Sequence, residues 1–507
     1  MADSIFKRTG FTFFATGMRA LVLLSTSIYL AQTLGPSVFG KLSFLIASFV
    51  ALKAFLDLGT SSAFYTFLSQ KEKDLESLCY YGLWLIVQFL IPLITIFVIL
   101  PDHWLAIIWP DSSIPLILLA YLAIFAQNGL WVTVTQIGDA QRQTYLIQSV
   151  SLLLSILYIS LIFLLDMFNS LSITAVLICL GFEHTLLSIL VFRRLVSNIN
   201  GSRSLNLSGA SSYFLRMFKY CLPLIPYTII AASTEFGDRW LLQYYGGSDE
   251  QAYYAVAWQI SAVALLATTA FIRIFWKEIA EAFASKDFNR MELLFNTSLK
   301  SLFLITAVVT CALVYWVDEI VLVLLGEEYI KGAMVLSLLL FYPLHQCLGQ
   351  MLSSFLYATE QSGLLAVSGS ITLLLGLLLT YVLLAPSQAI IGGFDLGAEG
   401  LASKMLIVQF LNVNIVAYLA TKKMKWEFDF SYQLSTLLLC LGAGGLGQYV
   451  VSWLIMMFEW PLMLVIFVYG LVYLFMITAV VIYLPKVVGL TKKDVGRVFS
   501  SLRTIRG

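Results

Sequence analysis

Six basic side chains fall inside long apolar stretches of this sequence, where a charge is costly. A Lys or Arg near the centre of a bilayer costs roughly 2.5–3.5 kcal/mol on insertion scales, so such residues usually face a bundle interior or a water-filled cavity. A cationic cavity of low dielectric attracts an anionic, phosphate-bearing ligand. We therefore treat all six as candidate contacts for the charged head group of a substrate. They are Arg19, Lys41, Lys53, Arg239, Arg273 and Lys404.

Two of these bases lie beside acids, and an internal ion pair is the alternative for both. Lys53 lies one helical turn before Asp57, a spacing that places the two on one helix face. Arg239 directly follows Asp238 and lies four residues after Glu235. In each case the acid can neutralise the base, whose role would then be structural.

The other four bases differ in their depth. Arg19 lies near the middle of the first apolar stretch and is the hardest to explain as an end residue. Arg273 lies near an inner span end and Lys41 near an outer one, so both side chains can extend to the membrane surface. Lys404 is intermediate, since it lies five residues after Glu399.

Acids and one histidine in the apolar stretches form a second set, suited to a proton or cation relay. The three histidines of the chain are far apart in sequence, and the six cysteines show no paired spacing. We therefore expect no metal site, no disulfide framework, no cofactor and no catalytic residue. The candidates for a coupling-ion site are Asp57, Glu183, His184, Glu235 and Asp238.

The composition is that of an integral membrane protein, because 60% of the 507 residues are hydrophobic and only 12% are charged. Each membrane span needs about 20 apolar residues, and long unbroken runs such as 364–384 exclude the alternating strands of a barrel. The expected fold is an all-α polytopic bundle. Its fourteen predicted transmembrane helices are 11–34, 38–60, 79–100, 114–137, 144–165, 171–192, 219–243, 252–275, 301–325, 332–357, 364–385, 398–420, 431–455 and 460–484.

The basic residues outside the predicted spans fall into every second connection. If the N-terminus is cytoplasmic, the inner segments hold 23 of the 30 Lys and Arg residues, the outer loops hold Lys331 alone, and six lie within spans. This positive-inside bias predicts that both termini are cytoplasmic. The basic residues do not gather into one patch, so nucleic-acid binding is not expected.

The predicted loops carry three further signals. On the outer side they are short, the longest being 101–113 and 386–397, so no domain is expected there to hold a catalytic site. On the inner side, 276–300 alternates apolar and charged residues and is interpreted as one amphipathic surface helix. Pro223 and Pro226 interrupt the hydrogen-bond ladder of predicted helix 7, which makes it the best candidate for a helix that bends during transport.

A weak internal repeat is visible, with chance similarity among leucine-rich helices as the competing explanation. Segment 136–146 parallels 355–365 at an offset of 219 residues, and Leu34-Gly35 parallels Tyr245-Gly246 at an offset of 211. Such an offset spans six helices, so helices 1–6 and 7–12 would form two lobes in a parallel pseudo-two-fold repeat. The corresponding domains are 1–208, 209–424 and 425–507, the last with helices 13 and 14 and a basic cytoplasmic tail.

Six short motifs are spread over nearly the whole chain. They are LGPSVFGKLS at 34–43, FLDLGTSSA at 55–63, GDRWLL at 237–242, AYYAVA at 252–257, LGEEYI at 325–330 and GAEGLA at 397–402. Together they resemble the polysaccharide flippases, which handle O-antigen and exopolysaccharide repeat units. Those proteins belong to the multidrug/oligosaccharidyl-lipid/polysaccharide exporter (MOP) superfamily. The motifs are short, so they indicate the family far better than the substrate.

The resemblance implies an activity. An undecaprenyl-pyrophosphate-linked oligosaccharide would cross a bacterial inner membrane for surface polysaccharide assembly, by alternating access with a cationic cavity between the lobes. Related lipid II flippases carry cavity arginines on helices 1, 2 and 8, where Arg19, Lys53 and Arg273 lie here. Lysine at position 53 lacks the bidentate phosphate grip of arginine. Helices 13 and 14 would help to hold the lipid tail.

The resemblance and the composition also predict partners. We expect the lipid-linked oligosaccharide, the lipid bilayer and a polysaccharide polymerase as partners, and a monomer as the oligomeric state. Two other functions stay open. A cation-coupled drug antiporter of the same superfamily would have more acids than bases in its spans, whereas bases slightly outnumber acids here. A membrane-embedded polymerase or glycosyltransferase would need a larger outer segment, so we expect a transporter rather than an enzyme.

Overall fold

The computed structural model describes residues 2–70, 75–197, 207–266, 268–458 and 461–488. Every regular element in these ranges is a helix. The α-helices are α1 (Ala2–Asp57), α2 (Thr60–Gln70), α3 (Leu75–Ile94), α4 (Asp102–Ile108), α5 (Ile114–Phe125), α6 (Val132–Ala140), α7 (Thr144–Met167), α8 (Ile173–Val196), α9 (Leu207–Cys221), α10 (Ile225–Leu241), α11 (Gly247–Leu266), α12 (Thr268–Ala284), α13 (Phe288–Leu313), α14 (Val317–Leu325), α15 (Ala333–Leu340), α16 (Tyr342–Ala358), α17 (Ser362–Leu384), α18 (Gly397–Met424), α19 (Ser431–Phe458) and α20 (Leu462–Tyr483). Short π-helical segments lie at Thr95–Ile99, Ala126–Trp131 and Leu242–Gly246, and short 3₁₀ segments at Val314–Trp316, Glu327–Gly332 and Pro485–Val488.

Eleven helical stretches in the described ranges are long and apolar enough to cross a membrane, or 12 if one sharply bent pair counts as a span. The prediction of an all-helical, multi-pass membrane protein is therefore confirmed. The stretch Gly10–Asp57 has 48 residues, which is about 72 Å at 1.5 Å per residue and more than twice the hydrocarbon thickness. It has room for predicted helices 1 and 2, and the total of fourteen spans stays a prediction.

Glycines in a left-handed conformation interrupt two long helical stretches. Gly35 divides α1 with φ 72° and ψ 169°. Gly247 begins α11, directly after a π-helical segment, with φ 80° and ψ −172°. Any side chain would strain this backbone, which explains the choice of glycine at both positions. The two lie 212 residues apart, one more than the sequence alignment gives, and Gly326 has a similar conformation with φ 90° and ψ 176°, so the internal repeat stays a prediction.

A second backbone feature recurs at a similar offset. The turns before α7 and α17 each contain a non-glycine residue with positive φ, Arg142 at 60° and Glu360 at 58°. In both turns the next amide donates to a carbonyl five residues earlier, at 2.8 Å and 2.7 Å respectively. The two turns are 218 residues apart, one fewer than the alignment of the sequence segments suggests. The same turn also follows α7, α12 and α18, at Asn169, Lys286 and Lys425, so it is a general way of ending a helix in this chain. The repeat and the two-lobe arrangement stay predictions.

Predicted helix 7 is divided in two. α9 ends at Cys221 and α10 begins at Ile225, and the helices on either side of this break are bent by 70°. Pro223 lies in the connecting turn, and Pro226 lies in the first turn of α10, where a missing amide proton is tolerated. The break expected from the two prolines is present, although the predicted span 219–243 combines the end of α9 with α10.

The expectation of one amphipathic surface helix over 276–300 is wrong. α12 continues to Ala284, a turn with Lys286 at φ 57° follows, and α13 begins two residues later. The Asp287 carboxylate accepts the Arg290 amide at 3.0 Å and so caps α13. This helix-start signal is hard to recognise in the sequence, because charged and apolar residues alternate throughout the segment.

The described chain forms two compact units. Unit 1 comprises Met1–Val256 and Leu373–Leu401, and unit 2 comprises Ala257–Thr372 and Ala402–Gly507. The boundaries between them fall inside α11, α17 and α18. Each unit therefore contains segments that are distant in sequence.

In unit 1, the first half of α1 packs beside α7. The ring centroids of Phe11 and Tyr145 are 5.0 Å apart, and those of Tyr29 and Phe163 are 6.1 Å apart. Both contacts advance by the same number of residues along the two helices, so the helices run in the same direction. This is the direction expected for predicted helices 1 and 5.

Unit 2 has a continuous apolar core of side chains from α12, α13, α16, α18, α19 and α20. Phe295, Phe303 and Phe355 are among its largest fully buried members. Tyrosine hydroxyls attach the last helix, α20, to α13: Tyr473 donates to the Val308 carbonyl at 2.9 Å, and Tyr469 donates to the Ala312 carbonyl at 3.1 Å. Predicted helices 13 and 14 are thus part of the core of unit 2.

The start of α18 is capped by an acid from α11. Glu250 Oε2 accepts the Ala398 amide at 2.6 Å. A carboxylate at a helix N-terminus satisfies a free amide and complements the helix dipole. We expect Glu250→Ala to destabilise the protein by about 1 kcal/mol, measured by thermal unfolding in detergent. The exposed neighbour Asp249 provides the control, and an equal loss in Asp249→Ala would contradict the capping role.

Candidate functional site

The ion pair expected between Lys53 and Asp57 is present in unit 1. Lys53 Nζ lies 3.6 Å from Asp57 Oδ1, and the two side chains are 12% and 16% exposed. Lys53 also donates to Gln88 Oε1 at 2.9 Å. The charge of Lys53 is therefore offset by a neighbouring carboxylate, which weakens its attraction for an external anion.

Asp57 also stabilises the turn between α1 and α2, where Gly59 has a φ of 84°. It accepts the Ser61 amide at 3.2 Å and the Ser61 hydroxyl at 2.9 Å, and so caps α2. Gln88 Nε2 donates to Thr60 Oγ1 at 3.3 Å and extends the network to α3. Sequence reasoning missed Gln88 and Thr60 because neither is charged; the available signal was a lone amide in an apolar stretch.

Asp57 has more partners than Lys53, so the two should differ in their effect on stability. We expect Asp57→Ala to cost about 3 kcal/mol, because it removes the α2 cap and leaves a buried lysine unpaired. Lys53→Ala should cost about 1 kcal/mol, since Asp57 keeps its Ser61 hydrogen bonds. Thermal unfolding of both single variants and the double variant gives the coupling energy. Strict additivity would show that the two side chains do not interact.

Three candidate residues cluster on α10 and contact α11 and α17. The guanidinium carbon of Arg239 lies 4.5 Å from the ring centroid of Tyr254 on α11. Asp238 accepts the Thr380 hydroxyl of α17 at 2.7 Å. Glu235 is exposed and lies within electrostatic range of both Asp238 and Arg239. The arrangement links three helices of unit 1 through one short charged segment.

Arg19 is placed differently from the other bases. Its side chain is exposed on unit 1, and its guanidinium has no hydrogen bond or ion pair among the described residues. Arg19 lies within electrostatic range of His184 on α8. Of the candidate bases whose side chains are described, Arg19 therefore has its donors most available to an external anion.

Glu183 and His184 lie together in the middle of α8, with 4% and 8% of their surfaces exposed. His184 Nδ1 lies 2.9 Å from the Leu180 carbonyl oxygen and 3.5 Å from Glu183 Oε1. Neither carboxylate oxygen of Glu183 has a hydrogen-bond partner among the residues that the structure describes. The structure thus places two candidates for a coupling-ion site side by side, while the others lie on α1 and α10.

The last three candidate bases are dispersed. Lys41 donates to the Asp111 carbonyl oxygen, in the connection between α4 and α5. Lys404 is buried in unit 2, with 4% of its surface exposed. Arg273 lies in α12, and its side chain is outside the described residues.

Unit 2 contains a ladder of uncharged polar side chains that sequence reasoning missed. His345 Nε2 lies 3.2 Å from Gln433 Oε1, and Gln433 donates to Asn414 Oδ1 at 2.8 Å. Gln409 donates to Gln346 Oε1 at 2.8 Å. The ladder joins α16, α18 and α19, and the mutual hydrogen bonds explain how so many amides are accommodated in apolar helices. Amides scattered in apolar stretches were the only signal for it.

An apolar cavity of about 390 Å³ lies in unit 1 between the second half of α1, α3 and α10. Its lining includes Phe55, Ile91, Trp109 and Phe236, with Thr95 and Ser233 as its few polar members. This lining suits a hydrocarbon chain rather than a charged head group.

The described residues contain no group of three or more His, Cys, Asp or Glu side chains that could hold a metal ion. All six cysteines are free thiols.

No protein-family model matches this chain, and no curated protein matches it. Several solved structures do. The lipid II flippase MurJ in an inward closed conformation matches with a TM-score of 0.69 and 17% identity, over 93% of this chain and 98% of that one. An inward-facing multidrug resistance MATE family transporter of the MOP superfamily matches with a TM-score of 0.59 and 14% identity, over 80% and 95%. A MOP superfamily transporter from Pyrococcus furiosus matches with a TM-score of 0.53 and 13% identity, over 83% and 95%.

These likenesses establish the fold. The chain has the helical architecture shared by this flippase and by transporters of the MOP superfamily, as the sequence motifs predicted. The three proteins are named as a flippase and two transporters. The predicted fold, that of the MOP superfamily, is confirmed.

Proposed function

We propose that this chain is a flippase for an undecaprenyl-pyrophosphate-linked oligosaccharide repeat unit, acting in a bacterial inner membrane in surface polysaccharide assembly. The strongest support is the structural match to a lipid II flippase over almost the full length of both chains. The match to the drug transporter covers a smaller share of this chain. The oligosaccharide part of the proposal comes from the six motifs that resemble polysaccharide flippases.

The position of Arg19 supports an anionic head group. Arg19 is exposed near the middle of its span, and an unpaired guanidinium facing hydrocarbon would cost several kcal/mol. We infer that Arg19 lines a water-filled cavity and donates to the pyrophosphate. A polyprenyl tail would stay in the lipid while the charged head passes through the polar path.

The other bases are secondary candidates for head-group contacts. The Lys53 ammonium would attract the head group through the part of its positive charge that Asp57 does not offset. Arg239 would contribute through the face of its guanidinium that Tyr254 does not cover. Arg273 and Lys404 are the candidates outside unit 1. Lys41 is the weakest candidate, because it already donates at an outer loop.

The remaining parts of the proposal concern organisation. Helices 1–6 and 7–12 would act as two lobes in alternating access, and helices 13 and 14 would hold the lipid tail. The protein would act as a monomer with both termini in the cytoplasm, beside a polysaccharide polymerase. Asp57, Glu183, His184, Glu235 and Asp238 are the proposed candidates for binding a coupling ion.

Reconstitution into liposomes tests the proposed activity. A fluorescent undecaprenyl-pyrophosphate-linked oligosaccharide is placed in both leaflets, and the fraction reached by a membrane-impermeant quencher is followed over time. Flipping is expected to make the whole pool accessible, against about half in protein-free liposomes. The same lipid with an uncharged head group serves as the matched substrate control. Equal rates for both lipids would remove the cationic-cavity mechanism.

A drug antiporter is the second candidate, because its representatives share the fold. It predicts that a cationic dye accumulates in the same liposomes when a proton or sodium gradient is imposed. Dye accumulation without flipping of the lipid-linked oligosaccharide would favour this candidate over the flippase.

A further inference from the structure

Glu183 is a buried acid in the centre of a membrane-spanning helix, and its carboxylate has no hydrogen-bond partner in the described ranges. It lies ten residues from the start of α8 and thirteen from its end, or roughly 15–20 Å from either end at 1.5 Å per residue. Only 4% of its surface is exposed, and within the described part of the chain both carboxylate oxygens lack a hydrogen-bond partner. Buried polar groups are nearly always paired, so this exception requires an explanation.

His184 does not neutralise Glu183. A carbonyl oxygen only accepts hydrogen bonds, so His184 Nδ1 donates its proton to the Leu180 carbonyl at 2.9 Å. The 3.5 Å separation from Glu183 Oε1 is too long for a hydrogen bond. His184 therefore donates to a backbone carbonyl of its own helix and does not act as a cation for the Glu183 carboxyl group.

The other groups near Glu183 are weak partners for a charge. Tyr158 of α7 and Cys179, one turn earlier on α8, lie within electrostatic range of Glu183 and are neutral. Arg19 of α1 lies within electrostatic range of His184. Asp139 lies near the C-terminal end of α6, next to the turn before α7.

These surroundings distinguish a proton from a metal cation. Sodium and divalent cations are hard ions that need several oxygen ligands, and an imidazole, a thiol and a single phenol do not provide them. An ionised, unpaired carboxylate at this depth is far more costly than a neutral acid, which leaves only a modest hydrogen-bonding deficit. Binding of one proton to the Glu183 carboxyl group removes the cost of the unpaired charge and requires no additional ligands.

We propose that Glu183 is the proton-binding group of unit 1: it is a neutral acid in this conformation and gives its proton to water in another. The O–H bond of the carboxyl group breaks, the proton moves to water, and the carboxylate is then stabilised by water or by the guanidinium of Arg19. The use of this step to drive translocation rests on the proposed flippase function. Protonation itself does not depend on that function.

Infrared difference spectroscopy tests protonation directly on the full-length protein in liposomes. A neutral carboxylic acid gives a carbonyl band that is absent from carboxylates and shifts in D₂O. We expect such a band in the wild type, its loss in Glu183→Gln, and its persistence in Glu76→Gln, which alters an exposed acid of the same unit. A Glu183→Gln band identical to the wild type would overturn the proposal. Glutamine has the same shape as the neutral acid, so folding should be preserved.

Transport provides the second measurement. With an imposed pH gradient, the flipping rate of the wild type is expected to change, and Glu183→Gln should lose this dependence. Glu281→Gln, on an exposed surface of α12, is the matched control and should retain it. A Glu183→Gln variant that keeps the wild-type dependence would refute the coupling role. If no variant and no wild type flips the lipid, the proposed function fails, and the infrared band still decides whether Glu183 holds a proton.

Discussion

Replacing Arg19 with alanine is expected to slow flipping of the pyrophosphate-linked oligosaccharide about 10- to 100-fold without changing stability. A hydrogen bond to a charged group contributes about 1.5–3 kcal/mol, and each 1.4 kcal/mol is a factor of ten. The guanidinium has no hydrogen bond or ion pair among the described residues, so its removal leaves no group unpaired. The measurement is the rate at which the fluorescent lipid becomes accessible to the external quencher, with thermal unfolding alongside.

Two further variants make this prediction specific. Arg19→Lys keeps the charge but loses the bidentate geometry, so its rate should lie between those of the wild type and Arg19→Ala. Lys277→Ala removes a base whose side chain is 74% exposed on α12, and should flip at the wild-type rate. Wild-type flipping by Arg19→Ala would mean that the phosphate is bound elsewhere.

Replacing Gly40 with alanine is expected to have the largest effect on the fold. A Cβ atom at Gly40 would lie 1.7 Å from the Ser248 carbonyl oxygen and 3.0 Å from the Ala252 amide nitrogen. These are backbone atoms, so the clash is relieved only if α1 and α11 separate. Overpacking costs about 1–3 kcal/mol where side chains can adjust, and more where they cannot, so we expect about 3 kcal/mol or more. Thermal unfolding in detergent and the yield of monodisperse protein measure the loss.

Gly17 provides the matched control for Gly40. It lies in the first half of α1, and a Cβ atom there would meet nothing within 4 Å. Gly17→Ala should leave stability unchanged or raise it slightly, because alanine favours a helix over glycine by up to about 1 kcal/mol. An equal loss in both variants would show that glycine at position 40 acts through helix flexibility rather than close contact.

Much of the fold could be predicted from hydropathy and charge, because a membrane allows few alternatives. A span must be apolar and long enough to cross the lipid, and its backbone must satisfy itself, so apolar stretches such as 144–165 and 171–192 closely match α7 and α8. The proline break in predicted helix 7 also followed from local chemistry. The segment 276–300 was misjudged, because a capping aspartate determines its turn and charge alternation hides that signal.

The motif glycines show where local information ends. The sequence indicates that Gly35, Gly40 and Gly397 belong to recurring motifs, but each is glycine for a different reason. Gly35 has a left-handed backbone between two helices. Gly40 allows another backbone to approach. At Gly397 the φ is positive and a Cβ would collide with the Glu250 carboxylate.

The candidate site was the least predictable part. The six bases within the predicted spans were identified from their positions in apolar stretches, and the pairing of Lys53 with Asp57 followed from their one-turn spacing. Whether each basic side chain is available to bind a ligand could not be predicted, because that depends on contacts between helices that are distant in sequence. Tyr254 lies against Arg239, Gln88 lies against Lys53, and neither carries a charge that marks it in the sequence.

The amino-acid sequence by itself determined which segments enter the membrane and which residues are too costly to bury without a reason. Both follow from transfer free energies, which depend on residue type and a short window of neighbours. The tertiary structure decided which costly residues found partners: Asp57 did, whereas the Glu183 oxygens and the Arg19 guanidinium did not among the described residues. Hydrogen bonds act over about 3 Å, so whether a charge is paired depends on how helices pack, and hydropathy cannot determine that.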